Sequence, residues 1–223
     1  MGTLASGAAE GTLSGSKRFA ITPKAPAHPD RLVEGAASTV EFVIGDLVTQ
    51  DTGAIVNPTT PSLSGGGMVD LAIQRAAGPA LGDACRVAIR KLPALLSPGE
   101  AVITAGFALR AGYVVHCVPP RYGDNPAVAA AQLASCFRNA IVLARNRGVS
   151  SIAFPSIATG ILGYPLNEAA PIALSAVVEE VTQYIAPFEV RFVLFGPSTL
   201  DAYVAAAEAY FAGPRPSRRA RSE

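Results

Sequence analysis

Between residues 39 and 212, short strand-like runs alternate with longer helix-like stretches along this chain of 223 residues. The strand-like runs are rich in β-branched residues, as in TVEFVIG at 39–45 and VRFVLF at 190–195. The stretches between them place apolar residues at helical spacing. This alternation is typical of a sheet with helices on both faces, so we predict an α/β fold with a buried sheet.

The same pattern gives approximate bounds for the elements. Strands are predicted at 39–45, 53–57, 101–105, 113–118, 150–155 and 190–195, and helices at 69–90, 125–148, 166–185 and 198–211. We expect the first helix to bend at Gly78 and Pro79, because proline suits the first turn of a new helix.

Composition divides the chain into one domain and two tails. Residues 1–38 are rich in Gly, Ala, Ser and Pro. They bury too little apolar surface to offset the entropy of ordering, so we predict a flexible leader. Residues 39–212 form the predicted domain, whose length suits a single core. Residues 213–223 contain four arginines and are predicted to be a disordered basic tail.

Charge and targeting signals narrow the possible partners. The formal net charge is +1, which gives no overall field to attract nucleic acid or an acidic membrane. A weak contact between the arginine tail and RNA or phosphate stays open. The sequence shows no secretory signal and no apolar run of about 18 residues, so we expect a cytoplasmic protein without a membrane partner. We also expect a monomer.

The three cysteines do not indicate a metal or redox site. Cys85, Cys117 and Cys136 are widely spaced, lie in apolar surroundings and include no Cys-x-x-Cys pair. We therefore expect all three to be reduced core residues.

Two glycine-rich loops each lie between a predicted strand and a predicted helix. The first contains Gly65, Gly66 and Gly67, and the second is SIATGILGYP, which begins at Ser156. Backbone amides at such positions meet the positive end of a helix dipole, so the pair of loops favours an anion such as a diphosphate. For three consecutive glycines alone, a tight turn is the simpler explanation.

Several familiar catalytic signatures are absent from the sequence. There is no Gly-x-x-x-x-Gly-Lys-Ser/Thr loop, no Gly-x-Gly-x-x-Gly fingerprint and no Gly-x-Ser-x-Gly elbow. A Ser-His-Asp triad would have to use His116, because His28 lies in the predicted leader. We expect His116, which lies between Val115 and Cys117, to be a packed strand residue.

An ordered series of motifs resembles one known family. The chain reads GDLVT at 45–49, AIVNPTT at 54–60, GGGMVD at 65–70, AIQRAAGP at 72–79, GEAVIT at 99–104, YVVH at 113–116 and SIAFPSIATGILGYP at 151–165. These segments resemble the macrodomains, which bind ADP-ribose, over about residues 39–212. The resemblance implies a three-layer α/β/α sandwich with a central mixed sheet, ADP-ribose bound across the two loops, and neither a metal nor a cofactor.

The resemblance also implies roles for individual residues. Asp46 resembles the carboxylate that accepts a hydrogen bond from the adenine amino group, although an aspartate there could instead cap a turn. Phe195 resembles the aromatic residue that stacks on adenine, and an ordinary core phenylalanine is the alternative. Asn57 resembles the asparagine that contacts the distal ribose. Asp70 resembles the aspartate that orients or activates the attacking water, unless it is only a first-turn helix acid.

Further ligand contacts are implied next to Asp46 and along both loops, where residues 159–161 resemble the diphosphate loop. These predicted contacts are Leu47, Gly65, Gly66, Gly67, Met68, Val69, Ser156, Ala158, Thr159, Gly160, Ile161 and Leu162.

Three residues depart from the pattern of hydrolytic macrodomains. Thr60 replaces a second asparagine that helps to position the distal ribose, Met68 replaces a fourth glycine, and Leu162 replaces a loop aromatic. Met68 would be strained if its φ were positive, and its side chain could fill the space of the water.

The predicted function is ADP-ribose binding with hydrolysis of ADP-ribosyl esters, on mono-ADP-ribosylated protein or on O-acetyl-ADP-ribose. The predicted catalytic residues are Asp70, Asn57 and Thr60. The alternative is a reader that binds ADP-ribose or ADP-ribosylated protein without turnover, and a third option is a poly(ADP-ribose) or RNA binder that uses the arginine tail.

Overall fold

The described part of the chain forms one eight-stranded sheet, and helices cover both of its faces. The computed structural model describes residues 9–10, 16–21, 37–123 and 125–212. The strands are β1 Ala9–Glu10, β2 Ser16–Ile21, β3 Ser38–Ile44, β4 Ala54–Pro58, β5 Ala101–Ala105, β6 Tyr113–Cys117, β7 Ser151–Phe154 and β8 Glu189–Leu194. The helices are α1 Met68–Ala77, α2 Pro79–Arg90, α3 Pro126–Arg145, α4 Leu166–Val181 and α5 Pro197–Phe211.

The sheet is mixed, with a parallel centre. The strand order is β1-β2-β3-β8-β7-β4-β6-β5. The five central strands, β3, β8, β7, β4 and β6, run parallel to one another. β2 and β5 pair antiparallel with the two sides of this group, and β1 pairs antiparallel with β2. The predicted fold class is confirmed. The carboxyl ends of the parallel strands meet at one edge, where open α/β sheets bind ligands.

Alternate residues of the central strands enter two separate cores. In β4, Ala54 and Val56 belong to the core that includes α3, α4 and α5, whereas Ile55 belongs to the core that includes α1 and α2. A strand buried on both faces needs apolar residues at nearly every position, which explains the short apolar runs in the sequence. The three-layer α/β/α arrangement is therefore confirmed.

The prediction of a flexible leader over residues 1–38 is wrong for Ser16–Ile21. This segment is β2, which pairs with β3 over six residues. Phe19 is 4% exposed and stacks on Phe211 of α5 at 5.4 Å between ring centroids, and Ile21 is fully buried. Burial of such side chains contributes roughly 1.5–3 kcal/mol each, and this burial acts together with the backbone pairing to β3 against the entropy cost of ordering the strand. Most of the remaining leader, with His28, and the tail at 213–223 lie outside the described residues.

The predicted break in the first helix is confirmed. α1 ends at Ala77, and Gly78 has a φ of +81°, which glycine adopts without a steric penalty. Pro79 then takes the first position of α2. α3 and α4 end a few residues earlier than predicted.

α3 meets the length and hydropathy criteria for a membrane-crossing helix. Eight of its residues are nevertheless buried, and it packs along α4, so in this fold it is a core helix. Its polar residues, including Arg138 and Asn139, interrupt the apolar run in the sequence. Cys85, Cys117 and Cys136 are buried and free, as predicted.

Candidate active site

The segments that were predicted to bind a ligand lie together at the carboxyl edge of the parallel strands. Residues 45–49 follow β3, the glycine run follows β4, residues 155–163 follow β7 and Phe195 follows β8. Because β4 and β7 are neighbours, the two glycine loops are adjacent. A Cβ placed on Gly67 would lie 3.9 Å from Ile161 Cδ1 of the other loop.

The first glycine loop packs directly against the end of β4. Gly65 has a φ of +133°, and Gly66 forms an antiparallel bridge with Thr59. A Cβ on Gly66 would lie 2.9 Å from the carbonyl oxygen of Pro58 and 3.1 Å from Cβ of Asp70. Glycine is therefore needed at position 66 to bring the loop close to β4 and to the start of α1, which is more than a tight turn requires.

The N-terminus of α1 is open to an anion. Gly67 is the N-cap residue and supplies no side-chain cap, so the N–H groups of the first turn have no partner within the helix. Met68 is the first residue of α1 and does not have a positive φ, so the condition for strain at this position is not met. Its side chain is 86% exposed and does not fill the space beside Asp70.

The second loop also presents backbone donors. The N–H groups of residues 159–161 donate no hydrogen bond to any described residue. The turn is closed by the Gly163 N–H, which donates to the Gly160 carbonyl at 2.9 Å, and by the Tyr164 N–H, which donates to the Ala158 carbonyl at 3.1 Å. Ala158 has a φ of +67°, which costs a residue with a Cβ about 1–2 kcal/mol. Such strain is typical of a loop shaped for function.

Side chains behind the second loop hold it in place. The Thr159 hydroxyl donates to Ser156 Oγ at 2.8 Å, and Ser156 Oγ lies 3.2 Å from the hydroxyl of Tyr203. Burial raises the pKa of Tyr203 to about 12, so its hydroxyl keeps its proton. Leu162 packs against the larger core, and its carbonyl accepts from the Tyr122 N–H at 3.1 Å. The leucine that replaces the loop aromatic therefore anchors the loop.

The opposite end of the cleft is exposed. Asp46 Oδ1 accepts from the Val48 N–H at 3.0 Å and caps the 3-10 turn Leu47–Thr49. Asp46 Oδ2 accepts no hydrogen bond from the described residues, so it stays available to a ligand. Phe195 is 96% exposed, which excludes the alternative of a core phenylalanine. Leu47 is buried in the smaller core, which leaves its backbone for any contact with a ligand.

Below the first loop lies a cluster of buried polar side chains. Asn57 and His116 are fully buried, Asp70 is 1% exposed and Thr104 is 9% exposed. Asn57 Nδ2 donates to Asp70 Oδ1 at 2.5 Å and lies 3.2 Å from His116 Nδ1. His116 Nε2 lies 2.9 Å from Thr104 Oγ1 and 3.7 Å from Cys85 Sγ. Asp70 is thus a first-turn acid of α1 that also belongs to a hydrogen-bonded row.

The imidazole in this row is uncharged. Burial lowers the pKa of His116 to about 4, so the ring carries no charge near neutral pH. Burial also raises the pKa of the Cys85 thiol. Asn57 Oδ1 is buried and has no hydrogen-bond partner among the described residues. It is an acceptor without a donor beside a carboxylate, which suits a ligand hydroxyl.

Thr60 makes no hydrogen bond to this cluster among the described residues. It is exposed, its carbonyl accepts from the Leu63 N–H at 2.9 Å, and its hydroxyl lies 3.4 Å from Ser62 Oγ. Of the three residues predicted to be catalytic, the structure brings Asn57 and Asp70 together and leaves Thr60 at the surface.

Two members of the cluster, His116 and Thr104, were not predicted to belong to the site. His116 is packed in β6, as expected, but it also contacts Asn57. The sequence signal was a polar residue inside a strand that is buried on both faces, since such a residue must find hydrogen-bond partners. Within the described ranges, no group of three or more His, Cys, Asp and Glu side chains could hold a metal ion.

The fold and the cleft define an α/β/α protein with an anion-binding edge. The model of the family called Macro domain matches residues 56–173. The O-acetyl-ADP-ribose deacetylase of Klebsiella pneumoniae (strain 342) is 42% identical over 163 residues, which cover 73% of this chain and 93% of the relative. The protein of the same name from Salmonella typhimurium is 41% identical over 166 residues, which cover 74% and 92%.

Solved structures agree with the sequence relatives. The Oceanobacillus iheyensis macrodomain with ADP is 39% identical with a TM-score of 0.73, and the match covers 77% of this chain and 90% of that one. The Trypanosoma brucei macrodomain in complex with ADP-ribose is 31% identical with a TM-score of 0.67, and the match covers 75% and 68%. This chain belongs to the macrodomain family.

Proposed function

We propose that the cleft binds ADP-ribose and that the chain hydrolyses esters at the distal ribose, with O-acetyl-ADP-ribose as the leading substrate. The observation that carries this proposal is the position of Asp70, which is buried, accepts from Asn57 and lies in the open first turn of α1 beside the second loop. The names of the relatives and the ADP-ribose in the Trypanosoma brucei neighbour support it.

In the proposed binding mode, the diphosphate lies between the first turn of α1 and the N–H groups of residues 159–161. Hydrogen bonds from neutral donors to a charged group contribute about 1.5–3 kcal/mol each in a partly dry site. Adenine stacks on Phe195 and donates its amino hydrogen to Asp46 Oδ2. The distal ribose then lies over the first glycine loop, where a hydroxyl donates to Asn57 Oδ1.

In the proposed reaction, Asp70 accepts a proton from a water molecule that attacks the acyl carbonyl carbon. A bond forms between the water oxygen and this carbon, and the bond from the carbon to the ribose oxygen breaks. The proton passes to the ribose oxygen, and the products are ADP-ribose and acetic acid, which releases its proton to solvent as acetate. The same attack would release ADP-ribose from an esterified acidic side chain of a modified protein.

Thr60 favours the second candidate, a reader without turnover. The position that holds the second asparagine of hydrolytic macrodomains carries a surface hydroxyl that contacts Ser62. A threonine cannot supply the amide that would position the distal ribose.

Calorimetric titration with ADP-ribose and measurement of acetate release from O-acetyl-ADP-ribose test the proposal. We expect the wild type to bind and to release acetate. Asp70→Asn keeps a hydrogen-bonding side chain but removes the base, so acetate release should fall by about 100-fold or more with ADP-ribose still bound. A wild type that binds ADP-ribose and releases no acetate would establish the reader.

Thr60→Asn tests the contribution of the missing amide. We expect a several-fold rise in acetate release. Ser64→Asn is the matched control, because it places the same side chain at another exposed position of the same loop. Equal rates in Thr60→Asn and wild type would show that position 60 does not limit turnover.

A further inference from the structure

The buried polar cluster forms one continuous row across the sheet. Asn57 of β4 and His116 of β6 are direct partners in the parallel pairing. Val102 of β5 lies opposite His116, and Thr104 is two residues further along the same strand. Side chains two residues apart share a face, so Thr104 reaches the ring from the side away from Asn57. The row therefore runs from β5 through β6 and β4 to Asp70 at the start of α1.

Donor chemistry fixes the direction of every hydrogen bond in this row. The amide nitrogen of Asn57 only donates, so Asp70 Oδ1 and His116 Nδ1 both accept from it. A neutral ring that accepts at Nδ1 carries its proton on Nε2, which lies 2.9 Å from Thr104 Oγ1. The Thr104 hydroxyl then donates to the carbonyl of Ala105 at 3.2 Å.

The same accounting excludes the other orientation of the Asn57 amide. Rotation of the amide by half a turn would place its oxygen against the acceptor Asp70 Oδ1, with no hydrogen between the two oxygens whichever tautomer His116 adopts. With the observed orientation, Asn57 Oδ1 is the atom left without a donor among the described residues. The row thus leaves Asn57 Oδ1 as an acceptor for a ligand and directs the Nδ2 donor of Asn57 at the Asp70 carboxylate.

We propose that His116 and Thr104 are positioning residues that orient the Asn57 amide and, through it, the Asp70 carboxylate. This inference rests on the proposed hydrolytic function. Thr104 accepts from His116 Nε2, His116 Nδ1 accepts one hydrogen of the Asn57 amide, and the other amide hydrogen holds one oxygen of Asp70. Without His116 and Thr104, the amide is held only at Asp70 Oδ1, so its plane, its free oxygen and the carboxylate are no longer fixed for the ligand.

Three variants separate positioning from packing. His116→Leu removes both ring nitrogens and keeps an apolar side chain of similar volume. His116→Asn is smaller and polar, but it returns an acceptor to the place of Nδ1. Thr104→Val keeps the shape of the side chain and removes the hydroxyl. Acetate release, ADP-ribose affinity by calorimetry and unfolding temperature are measured for each.

Positioning predicts a specific order of rates. We expect kcat to fall about tenfold in Thr104→Val and about 100-fold in His116→Leu, because small misplacements of catalytic groups have effects of this size. His116→Asn should recover about tenfold of that loss, and ADP-ribose affinity should change much less than kcat. A packing role predicts the reverse order, with His116→Leu close to wild type and His116→Asn impaired. That order would overturn the proposal.

A spectroscopic measurement on the free protein tests the row without any turnover. The chain has two histidines, so His28→Gln leaves a single imidazole signal. Nitrogen-15 NMR of this ring should show the tautomer with its proton on Nε2 near neutral pH, and Thr104→Val should raise the population of the other tautomer. A proton on Nδ1 in the wild type would overturn the inference even if hydrolysis is observed. Failure of ADP-ribose binding with the expected tautomer would instead count against the proposed function.

Discussion

The two ends of the cleft are built in opposite ways. At the buried end, defined by Asn57, Gly66 and Asp70, the polar side chains are at most 1% exposed and are held by hydrogen bonds to one another and to His116. At the open end, defined by Asp46 and Phe195, the aromatic ring is 96% exposed.

Because of this difference, we expect substitutions at the two ends to affect different properties. Groups at the buried end share their partners with the core, so a change there alters stability and turnover together. At the open end, Phe195 is exposed and the Asp46 side chain makes one turn-capping hydrogen bond, so a change that keeps this cap should alter affinity for the proposed ligand and leave the free energy of unfolding as it was. Four measurements test this division.

The largest effect is expected from Gly66→Ala. The new Cβ would lie 2.9 Å from the Pro58 carbonyl oxygen, which is backbone and cannot move alone. We expect the free energy of unfolding to fall by about 1–3 kcal/mol. Turnover should fall by about 100-fold, because Asp70 moves with the loop.

Gly160→Ala is the matched control for this prediction. A Cβ on Gly160 meets nothing within 4 Å, and its φ is not positive. Its unfolding free energy should stay within about 0.5 kcal/mol of wild type, whatever happens to affinity. Chemical denaturation measures both variants. Equal destabilisation would show that the close approach of Gly66 to Pro58 does not make the first loop more sensitive than the second.

The buried end should also make stability depend on pH. The folded protein holds the pKa of His116 at about 4 against an ordinary value of 6.5, so the unfolded chain binds more protons between these values. The contribution of His116 to the free energy of unfolding should therefore be fully present above pH 6.5. The free energy of unfolding should fall by about 3 kcal/mol as the pH drops to 4. His116→Asn should lose this component in denaturant titrations across that range. An identical pH profile in the variant would contradict the burial of an uncharged ring.

Phe195→Ala addresses the open end. Stacking of a base on an aromatic side chain is worth about 1–3 kcal/mol, so the Kd for ADP-ribose should rise roughly 5- to 150-fold. Phe195→Tyr keeps the ring and should bind within about threefold of wild type. Both variants should unfold like wild type. A lower stability of Phe195→Ala would show that the ring packs on the protein when no ligand is bound.

Asp46→Asn is expected to have the smallest effect. Inosine diphosphate ribose carries a carbonyl where adenine has its amino group, so the Asp46 carboxylate should disfavour it. Asparagine donates to that carbonyl and still caps the 3-10 turn, so the preference for ADP-ribose should fall by about 1 kcal/mol, roughly fivefold, at unchanged stability. Competition calorimetry with the two ligands measures this ratio. An unchanged ratio would show that Asp46 acts only as the cap.

Much of the fold was predictable because local signals agreed with the tertiary structure. The strand-to-helix alternation, the break at Gly78 and the burial of the cysteines depend on periodicity and backbone chemistry within short windows. Ser16–Ile21 was missed because its two buried residues, Phe19 and Ile21, lie in a glycine- and proline-rich context. These two residues stabilise the strand through pairing with β3 and contact with α5, and no local sequence window contains those partners.

The sequence alone determined that a glycine-rich turn follows each of two buried strands. Because glycine has no side chain, the backbone amides of such a turn stay accessible to a ligand. It also determined the ordered motifs from which the family could be stated. Only the tertiary structure decided that Phe195 lies in solvent, that Met68 begins a helix without strain, and that Thr60 is exposed and bonds to Ser62 rather than to Asp70. The row from Thr104 to Asp70 likewise depends on strand register and helix placement, because hydrogen bonds join residues far apart in the chain only after β4, β5, β6 and α1 have packed together.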